Sequence, residues 1–297
     1  MKFAAAIVVM LSAAPAALAW GTEAHSVVGA IAQQLLTPEG TKFVSKLLPG
    51  TTLDEITSWA DSVKYSGKYA ATRVLHYADA NDNPPATCNY DDARDCADGK
   101  CLVGAVATYT DNAGCTKKMS AADRADALKF LAHFLGDITQ PLHVCGRGRG
   151  GNDQKIDFDG KTVSLHASWD NDMPSKRMRE DYGGSVQTYA KYLVDQIKSG
   201  KYKTASKSWV SKHTIKKRNS NGNSLAAVDW ATDSDKLDCT AVWPAYDADP
   251  NQDFSGSYYT DSVPIIDIQI AKGGLRLADW INQIAASCAN KPSRVRR

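Results

Sequence analysis

The sequence predicts a mainly α-helical, single-domain fold with one small β-hairpin. Apolar residues recur at helical spacing in several stretches, whereas only one pair of short alternating stretches flanks a turn dipeptide. No low-complexity linker divides the 297 residues, and a chain of this length can bury a sizeable core. The formal net charge is only +2, so a polyanionic ligand would have to be bound by a local charge pattern.

Residues 1–19 have the pattern of a secretory signal peptide. They combine a short basic start, an apolar core from Ala4 to Leu11, and a small-residue cleavage site at residues 17–19. The apolar run is too short for a transmembrane helix, and no stop-transfer pattern follows, so no membrane anchor is expected. We therefore expect a secreted, extracellular protein whose mature domain, residues 20–297, starts at Trp20.

Three helices are predicted in the first part of the mature chain. The first spans Ala24 to Leu36, and the second follows an N-cap at Thr37, begins with Pro38 and continues through Leu48. Helical spacing from Thr52 to Val63 predicts the third helix. The stretch that follows leads to a loop without periodic pattern, residues 81–100.

The stretch from Leu128 to His143 predicts a buried helix that ends near Pro141 and has Ser120 or Asp123 as its N-cap. His133 and Asp137 are four residues apart, so both side chains lie on one helix face. A buried helix has no structural need for these polar side chains.

The predicted hairpin pairs Ile156–Phe158 with Val163–Leu165 across an Asp-Gly turn. His166 follows the second strand, and Asp170 repeats the four-residue spacing seen at His133 and Asp137.

Two further helices are predicted in the last third of the chain. They span Ser185 to Gly200 and Pro264 to Ala286, the second with a possible break at Gly273-Gly274. The residues between them have no pattern that predicts a specific structure. The basic tail, residues 291–297, is expected to be disordered.

Histidine and aspartate residues suggest a metal centre. Imidazole and carboxylate are zinc ligands, and five of the six histidines lie in or beside strongly apolar segments, each near an Asp or Trp20. A single buried histidine is usually just hydrogen-bonded, but five of them exceed what one zinc ion needs, since zinc takes about four ligands. The sequence therefore predicts a cluster of two or three metal ions.

The seven cysteines predict disulfides in a secreted chain, with at least one thiol left over. Cys88, Cys96 and Cys101 lie in the loop at residues 81–100. No pair has CxxC spacing, which argues against a thiolate zinc site.

Six motifs together resemble the secreted zinc-dependent single-strand nucleases, also 3′-nucleotidases, of filamentous fungi and plants. In chain order they are WGTEAHSVVGAIA, WADSVKY, LHYADANDNPP, LKFLAHFLGDITQPLH, GGN and LHASWDNDMP. The resemblance covers nearly the whole mature chain. It implies a helical fold related to zinc phospholipase C, three Zn²⁺ ions, and hydrolysis of single-stranded DNA, RNA and 3′-nucleotides to products that include 5′-phosphates. We also expect a monomer, and no membrane anchor, as noted for residues 1–19.

The same resemblance implies a role for each site residue. One zinc would take Asp61, His76, His133 and Asp137, a second would take His143, His166 and Asp170, and a third would take Trp20, His25 and Asp137. Trp20 would ligate through its amino nitrogen and carbonyl oxygen, which requires cleavage directly before it.

Residues for catalysis, substrate binding and disulfides follow from the resemblance in the same way. Asp61 would orient the attacking water and Lys64 would contact the phosphate, while Tyr77, Asp79 and Asn152 would bind the substrate. The implied disulfides are Cys88–Cys239 and Cys96–Cys101, and Cys115, Cys145 and Cys288 stay unassigned.

Two alternative functions share the predicted metal cluster. One is a zinc phospholipase C, which has a similar helical scaffold and an amino-terminal tryptophan ligand. The other is a secreted protein that binds zinc without catalysis, although structural zinc sites are closed by protein ligands and nine residues over three ions leave open positions.

Overall fold

The computed structural model describes residues 20–290. The expected signal peptide, residues 1–19, and the expected disordered tail, residues 291–297, lie outside the described residues. Within residues 20–290 the α-helices are α1 Thr22–Leu35, α2 Pro38–Leu47, α3 Leu53–Ile56, α4 Trp59–Val63, α5 Asp92–Asp95, α6 Leu102–Ala113, α7 Ala121–Asp137, α8 Gly148–Gly151, α9 Leu165–Ala167, α10 Met173–Tyr182, α11 Val186–Lys198, α12 Leu225–Leu237, α13 Trp243–Ala248 and α14 Ser257–Ala289. Short 3₁₀ helices span Ala70–Leu75, Pro141–His143 and Ala205–Ser208, and π-helical turns span Ser168–Asp172 and Asp238–Val242.

The described chain is mainly helical with one two-stranded sheet, as predicted. Strand β1, Lys155–Phe158, pairs antiparallel with β2, Lys161–Ser164, so that Ile156 lies opposite Val163. Asp159 and Gly160 connect the strands with φ angles of 50° and 72°. Both angles are positive, as a type I′ hairpin turn requires, and Asp and Gly tolerate them.

Side-chain caps set several helix starts. The Thr37 hydroxyl accepts a hydrogen bond from the Gly40 amide at 3.1 Å before α2, which begins with Pro38. The Ser120 hydroxyl accepts one from the Asp123 amide at 3.0 Å, so Ser120 is the N-cap of α7.

Some helices differ from the prediction. The stretch predicted as one helix from Thr52 forms the short helices α3 and α4. The last helix begins at Ser257 and continues through Gly273 and Gly274, so the possible break is wrong. A Cβ atom at Gly274 would lie 2.4 Å from Cγ2 of Ile31, which shows that this glycine allows α14 to approach α1 closely. Helices α6, α10 and α12 were not predicted.

The central helices position the site. Helix α1 packs against α3, α11 and α14, and α7 packs against α6 and α14. The second half of α7, from Ala127 to Asp137, is almost entirely buried. Residues that extend from α7, α1 and α4 toward one another are therefore held by packing on several sides.

Three disulfides link described residues. Two of them, Cys88–Cys239 and Cys96–Cys101, have the pairing that the family resemblance implies, and the third joins Cys115 to Cys288. Cys145 is the buried free cysteine. Between residues 20 and 290, no helix has the length and apolar character to cross a membrane.

Candidate metal centre

The fold brings together the eight histidines and aspartates that were predicted as ligands. The side chains form three groups, and within each group the potential ligand atoms lie within 4.8 Å of one another. The groups are His25, Asp61 and His133; His76, His133 and Asp137; and His143, His166 and Asp170. All of these side chains are buried. Because His133 belongs to two groups, the first two groups form one continuous cluster.

Asp137, in the last turn of α7, links that cluster. Its Oδ1 atom lies 3.0 Å from Nε2 of His25 on α1, and its Oδ2 atom lies 3.2 Å from both Nδ1 of His76 and Nε2 of His133. Asp61 on α4 lies 3.5 Å from the same His133 nitrogen. One carboxylate therefore lies between three imidazoles from three parts of the chain.

The second cluster forms where the chain leaves α7. The Nε2 atom of His166 lies 3.0 Å from Oδ2 of Asp170, and that of His143 lies 3.5 Å from Oδ1 of Asp170. The two imidazole rings stack with centroids 5.0 Å apart. His166 lies in α9 and Asp170 in the following π-helical turn, so the four-residue spacing keeps both side chains on one side.

Trp20 lies beside the second cluster. Its side chain is fully buried, and its indole Nε1 donates a hydrogen bond to the Thr139 hydroxyl at 3.2 Å. The next amide, that of Gly21, donates to the carbonyl of Asp170 at 2.7 Å. The backbone at Trp20 is therefore fixed beside the aspartate of the second cluster.

Backbone carbonyls orient three of the histidines. The Nδ1 atoms of His133, His143 and His166 lie 2.7, 2.8 and 2.6 Å from the carbonyl oxygens of Thr57, His76 and Gly150, respectively. Each contact leaves Nε2 for the centre, which is how proteins orient histidine ligands for a metal. The sequence analysis missed these orienting groups, because a carbonyl oxygen has no signature in the sequence.

Two further residues that shape the centre, Gln140 and Gly136, were not predicted. The Gln140 amide donates a hydrogen bond to Oδ1 of Asp170 at 2.7 Å, which fixes that carboxylate. Gly136 lies against His25, and a Cβ atom there would be 2.8 Å from both Cε1 and Nδ1 of the imidazole. Both residues lie within the LKFLAHFLGDITQPLH motif, directly beside predicted ligands, and this proximity was the available signal.

The electrostatics of the centre favour bound cations. Burial lowers the pKa of His76 to about 4. Burial also lowers the pKa of His133, but Asp137 and Asp61 outweigh this effect and raise it to about 10. The three carboxylates and the ammonium of Lys64 sum to −2 before the histidines are counted, and the raised pKa of His133 shows that this charge attracts cations. Such a buried charge is costly unless cations balance it.

Unpaired polar atoms fit the same interpretation. Among the described residues, five buried ligand atoms have no hydrogen-bond partner: Nδ1 of His25, Nε2 of His76 and His143, and Oδ2 of Asp137 and Asp170. Buried polar atoms are normally paired, so five in one place indicate a missing partner that accepts lone pairs. The three groups thus form a multinuclear metal-binding centre, and their nitrogen and oxygen donors suit zinc and its neighbours.

Of the predicted substrate residues, Lys64 contacts a predicted ligand, and Tyr77 and Asp79 follow another, His76, in the chain. Lys64 is 5% exposed, and its Nζ lies 2.7 Å from Oδ1 of Asp61. After His76 the chain alternates between buried and exposed residues, which leaves Tyr77 and Asp79 exposed. The amide of Ala78, between them, donates to the carbonyl of His143 at 2.7 Å and ties this segment to the centre. Asn152 is half-buried and donates to the Arg149 carbonyl at 2.9 Å.

Comparison with known proteins identifies the family. The sequence model of the S1/P1 Nuclease family matches residues 20–286. The chain belongs to the S1/P1 nuclease family. It is 38% identical to Nuclease PA3 of a Penicillium species over 274 residues, covering 90% of this chain and 98% of that protein. It is 34% identical to Nuclease S1 of Aspergillus oryzae, with 93% and 97% covered, and 30% identical to Endonuclease 2 of Arabidopsis thaliana, with 93% of each covered.

Membership of the S1/P1 nuclease family decides between the sequence-based hypotheses. The protein is a nuclease and therefore a hydrolase with a nucleic-acid substrate, as the resemblance of the six motifs implied. The match covers most of the chain, so it favours the nuclease over the phospholipase C and over a protein that only binds zinc. The buried metal centre agrees with this activity, because phosphodiester hydrolysis commonly uses metal clusters.

Proposed function

We propose that this S1/P1 nuclease is a secreted, monomeric zinc enzyme that cleaves single-stranded DNA and RNA endonucleolytically and also hydrolyses 3′-nucleotides. The observation that carries the proposal is the pair of buried His/Asp clusters, which approach each other where Oδ1 of Asp137 lies 4.0 Å from Nδ1 of His143. Their unpaired ligand atoms and net negative charge support three Zn²⁺ ions. The three disulfides are consistent with an oxidising, extracellular environment.

The proposed ligands divide into three sets. Asp61, His76, His133 and Asp137 would hold one zinc, and His143, His166 and Asp170 would hold a second. The third would take the amino nitrogen and carbonyl oxygen of Trp20 with His25 and Asp137. This last set requires removal of residues 1–19 as a signal peptide, and the start of the family match at Trp20 supports that cleavage site.

Bound zinc would supply Lewis-acid chemistry, activating water and stabilising negative charge on phosphoryl oxygens. Asp61 accepts a hydrogen bond from the attacking water and orients it toward phosphorus. The water oxygen bonds to phosphorus, the bond from phosphorus to the 3′ oxygen breaks, and that oxygen gains a proton. The products are a 5′-phosphate and a free 3′-hydroxyl.

Lys64 would neutralise the phosphate that undergoes attack. Its ammonium is almost fully buried beside Asp61, so its charge acts in a low-dielectric environment where it is worth more than at the surface. The fixed position also avoids reorganisation of the side chain during the reaction.

Tyr77 and Asp79 would bind the base next to the scissile phosphate. Tyr77 is 40% exposed and offers an aromatic face for stacking, while the Asp79 carboxylate can accept hydrogen bonds from a base edge. A base must leave its stack to reach them, which costs least in a single strand. Asn152 would contact the substrate at the other edge of the centre.

This proposal is tested with the purified mature protein. Single-stranded DNA and RNA should be cleaved at least 10-fold faster than a duplex of the same sequence, with 5′-phosphate ends, and phosphatidylcholine should stay intact. Equal cleavage rates on single-stranded and double-stranded substrates would contradict the proposed base pocket. Hydrolysis of phosphatidylcholine at a comparable rate would support the phospholipase alternative.

A further inference from the structure

A basic segment, residues 198–218, contrasts with the rest of the chain in charge. Residues 196–228 contain eight Lys and Arg and no Asp or Glu, so they contribute +8 to the formal net charge of +2 and the remaining chain contributes −6. The eight are Lys198, Lys201, Lys203, Lys207, Lys212, Lys216, Lys217 and Arg218. Positive charge is therefore concentrated in one part of a chain that is otherwise acidic.

The lysines of the basic segment are available to a ligand. All seven are exposed. Arg218 lies 3.2 Å from Asp111, but across residues 20–290 the seven lysines make no ion pair. By contrast, Lys191, just before the segment, lies 2.6 Å from Asp195. Seven ammonium groups without a carboxylate partner in one segment create a positive potential that attracts an anionic ligand.

Buried side chains hold the basic segment against the helices. Tyr202, Trp209 and Ile215 are each less than 10% exposed. The carbonyl of Trp209 accepts a hydrogen bond from Arg276 Nε at 2.9 Å, and the amide of Ile215 donates to Gln283 Oε1 at 3.2 Å. Because Arg276 and Gln283 both lie on α14, the lysines between these anchors are carried by a fixed surface.

A cavity of about 660 Å³ opens beside the basic segment. Lys207 and Lys212 line it together with Lys272 and Arg276 of α14. Two carboxylates of α12, Asp229 and Asp233, also line it, so the formal charge of its lining is +2. Oδ2 of Asp233 lies 2.7 Å from both Lys272 Nζ and Arg276 Nη2.

Arg276 supplies a specific anion-binding feature. The side chain is 3% exposed, and its Nη1 atom is buried without a hydrogen-bond partner in the part of the chain that the structure describes. A buried guanidinium group normally satisfies all its donors. Since Nη1 itself has almost no accessible surface, Arg276 acts on the cavity through its positive charge, and guanidinium groups bind phosphate well.

We propose that the basic segment and its cavity form a second binding site, which takes the sugar–phosphate backbone of a nucleic-acid strand. None of its residues belongs to the metal centre. The identity of the bound strand as substrate rests on the proposed function, whereas the phosphate chemistry does not. Lysines bind backbone phosphates without sequence preference, as a nuclease acting on many sequences requires.

A nucleic acid fits this surface better than an anionic membrane. Binding to a lipid surface usually adds exposed apolar side chains to the basic ones. The exposed large hydrophobic residues among the described ones are Tyr65, Val74 and Tyr77, and none of them lies in the basic segment. The cavity of about 660 Å³ is also concave, whereas a membrane presents a flat layer of headgroups.

The test compares two variants that lose the same number of charges. One replaces Lys207, Lys212, Lys216 and Lys217 with Gln, and the control replaces the exposed Lys42, Lys46, Lys117 and Lys118 with Gln. Stopped-flow anisotropy measures binding of a fluorescein-labelled thymidine 30-mer before hydrolysis, at several salt concentrations. The salt slope of log K should fall by up to about 2.8 in the first variant, since each contacted phosphate of a single strand contributes about 0.7.

Kinetics complete the comparison. The first variant should lose at least 5-fold in kcat/KM on the 30-mer, through KM, with hydrolysis of 3′-adenylate unchanged, and the control should match the wild type. Equal losses in both variants, or no loss in the first, would overturn the site. Lost binding to phosphatidylserine vesicles with unchanged binding to the 30-mer would also overturn it, in favour of a membrane surface. A wild type that binds but never cleaves the strand would refute the proposed function alone.

Discussion

The Nε2 atom of His25 lies 3.0 Å from Oδ1 of Asp137, although 112 residues separate the two in the sequence, and both side chains are fully buried. This contact joins α1 to the last turn of α7 and places the first turn of α1 at the metal centre. The other carboxylate oxygen of Asp137 lies 3.2 Å from His76 and His133. Asp137 can therefore serve two metal ions at once, and the predictions below depend on that arrangement.

Replacing His143 with Ala should abolish turnover while the fold is kept. The Nε2 atom of His143 is buried and unpaired near Asp170, so the substitution removes a ligand without breaking a hydrogen bond made by that atom. We expect kcat/KM on single-stranded DNA to fall at least 100-fold and the circular-dichroism spectrum to be unchanged. His213→Ala, at the one histidine outside the centre, is the control, and both variants are also compared on 3′-adenylate because His213 lies in the basic segment. Near-normal activity of His143→Ala would show that the ligand assignment is wrong.

Extra residues before Trp20 should inactivate the enzyme. Trp20 is fully buried and the Gly21 amide is bound to the Asp170 carbonyl, so an extension would block the amino nitrogen and enter a packed region. Metal analysis should find one zinc fewer per chain than in protein that starts at Trp20. Full activity and full zinc content in an extended protein would rule out ligation by the terminus.

Gly136→Ala should displace His25. The added methyl group would lie 2.8 Å from two atoms of the imidazole, and overpacking of this kind costs about 1–3 kcal/mol. We expect one zinc fewer per chain and a fall in kcat/KM of at least 10-fold. Gly67→Ala adds the same methyl group where no atom lies within 4 Å, so it should have no effect. Equal zinc content in both variants would contradict the packing explanation.

Stability should depend on pH through Asp235, which lies outside the metal centre. Burial, with the nearby Asp82, raises the pKa of its carboxyl group to about 7. The carboxyl group binds a proton more tightly in the folded protein than in the unfolded chain, so protonation stabilises the fold. This stabilisation is fully present below pH 3.8, the pKa in the unfolded chain, and it is lost as the pH rises through about 7, the pKa in the folded protein. Asp235→Asn imitates the protonated group and should remove this loss, on the order of 1–3 kcal/mol.

Urea denaturation of zinc-saturated protein between pH 5 and 8 measures the effect. The difference in unfolding free energy between Asp235→Asn and the wild type should grow in favour of the variant as the pH rises. Asp229→Asn, at a half-exposed position on the same helix, serves as the control. A pH-independent difference between Asp235→Asn and the wild type would contradict the raised pKa.

The sequence predicted the parts of the fold that have a local signature. Apolar periodicity predicted α7, and the Asp-Gly pair predicted the hairpin turn. Each of these patterns is formed by residues that are close to one another in the sequence. It missed α12, where the buried polar residues Ser234 and Asp235 break the apolar pattern, and it placed a break at Gly274, where the glycine instead allows close contact with α1. Such contacts join distant segments, so no local pattern reveals them.

The metal-ligating side chains were predictable for a different reason. His133 and Asp137 are polar residues in an apolar helix, which is unusual enough to notice in the sequence alone. The carbonyl groups of Thr57 and Gly150 that orient His133 and His166 are not, because every residue has a carbonyl. The basic segment at residues 198–218 was visible in the sequence, but its fixed surface and cavity depend on contacts with α14.

The most direct test of the metal-dependent nuclease account is hydrolysis of single-stranded DNA by the mature protein before EDTA, after EDTA, and after zinc is restored. The zinc content is measured at each stage. We predict that activity disappears with the metal and returns as about three zinc ions bind per chain. A protein that keeps its activity after complete removal of metal, or that stays inactive on single strands with three zinc ions bound, would contradict the account.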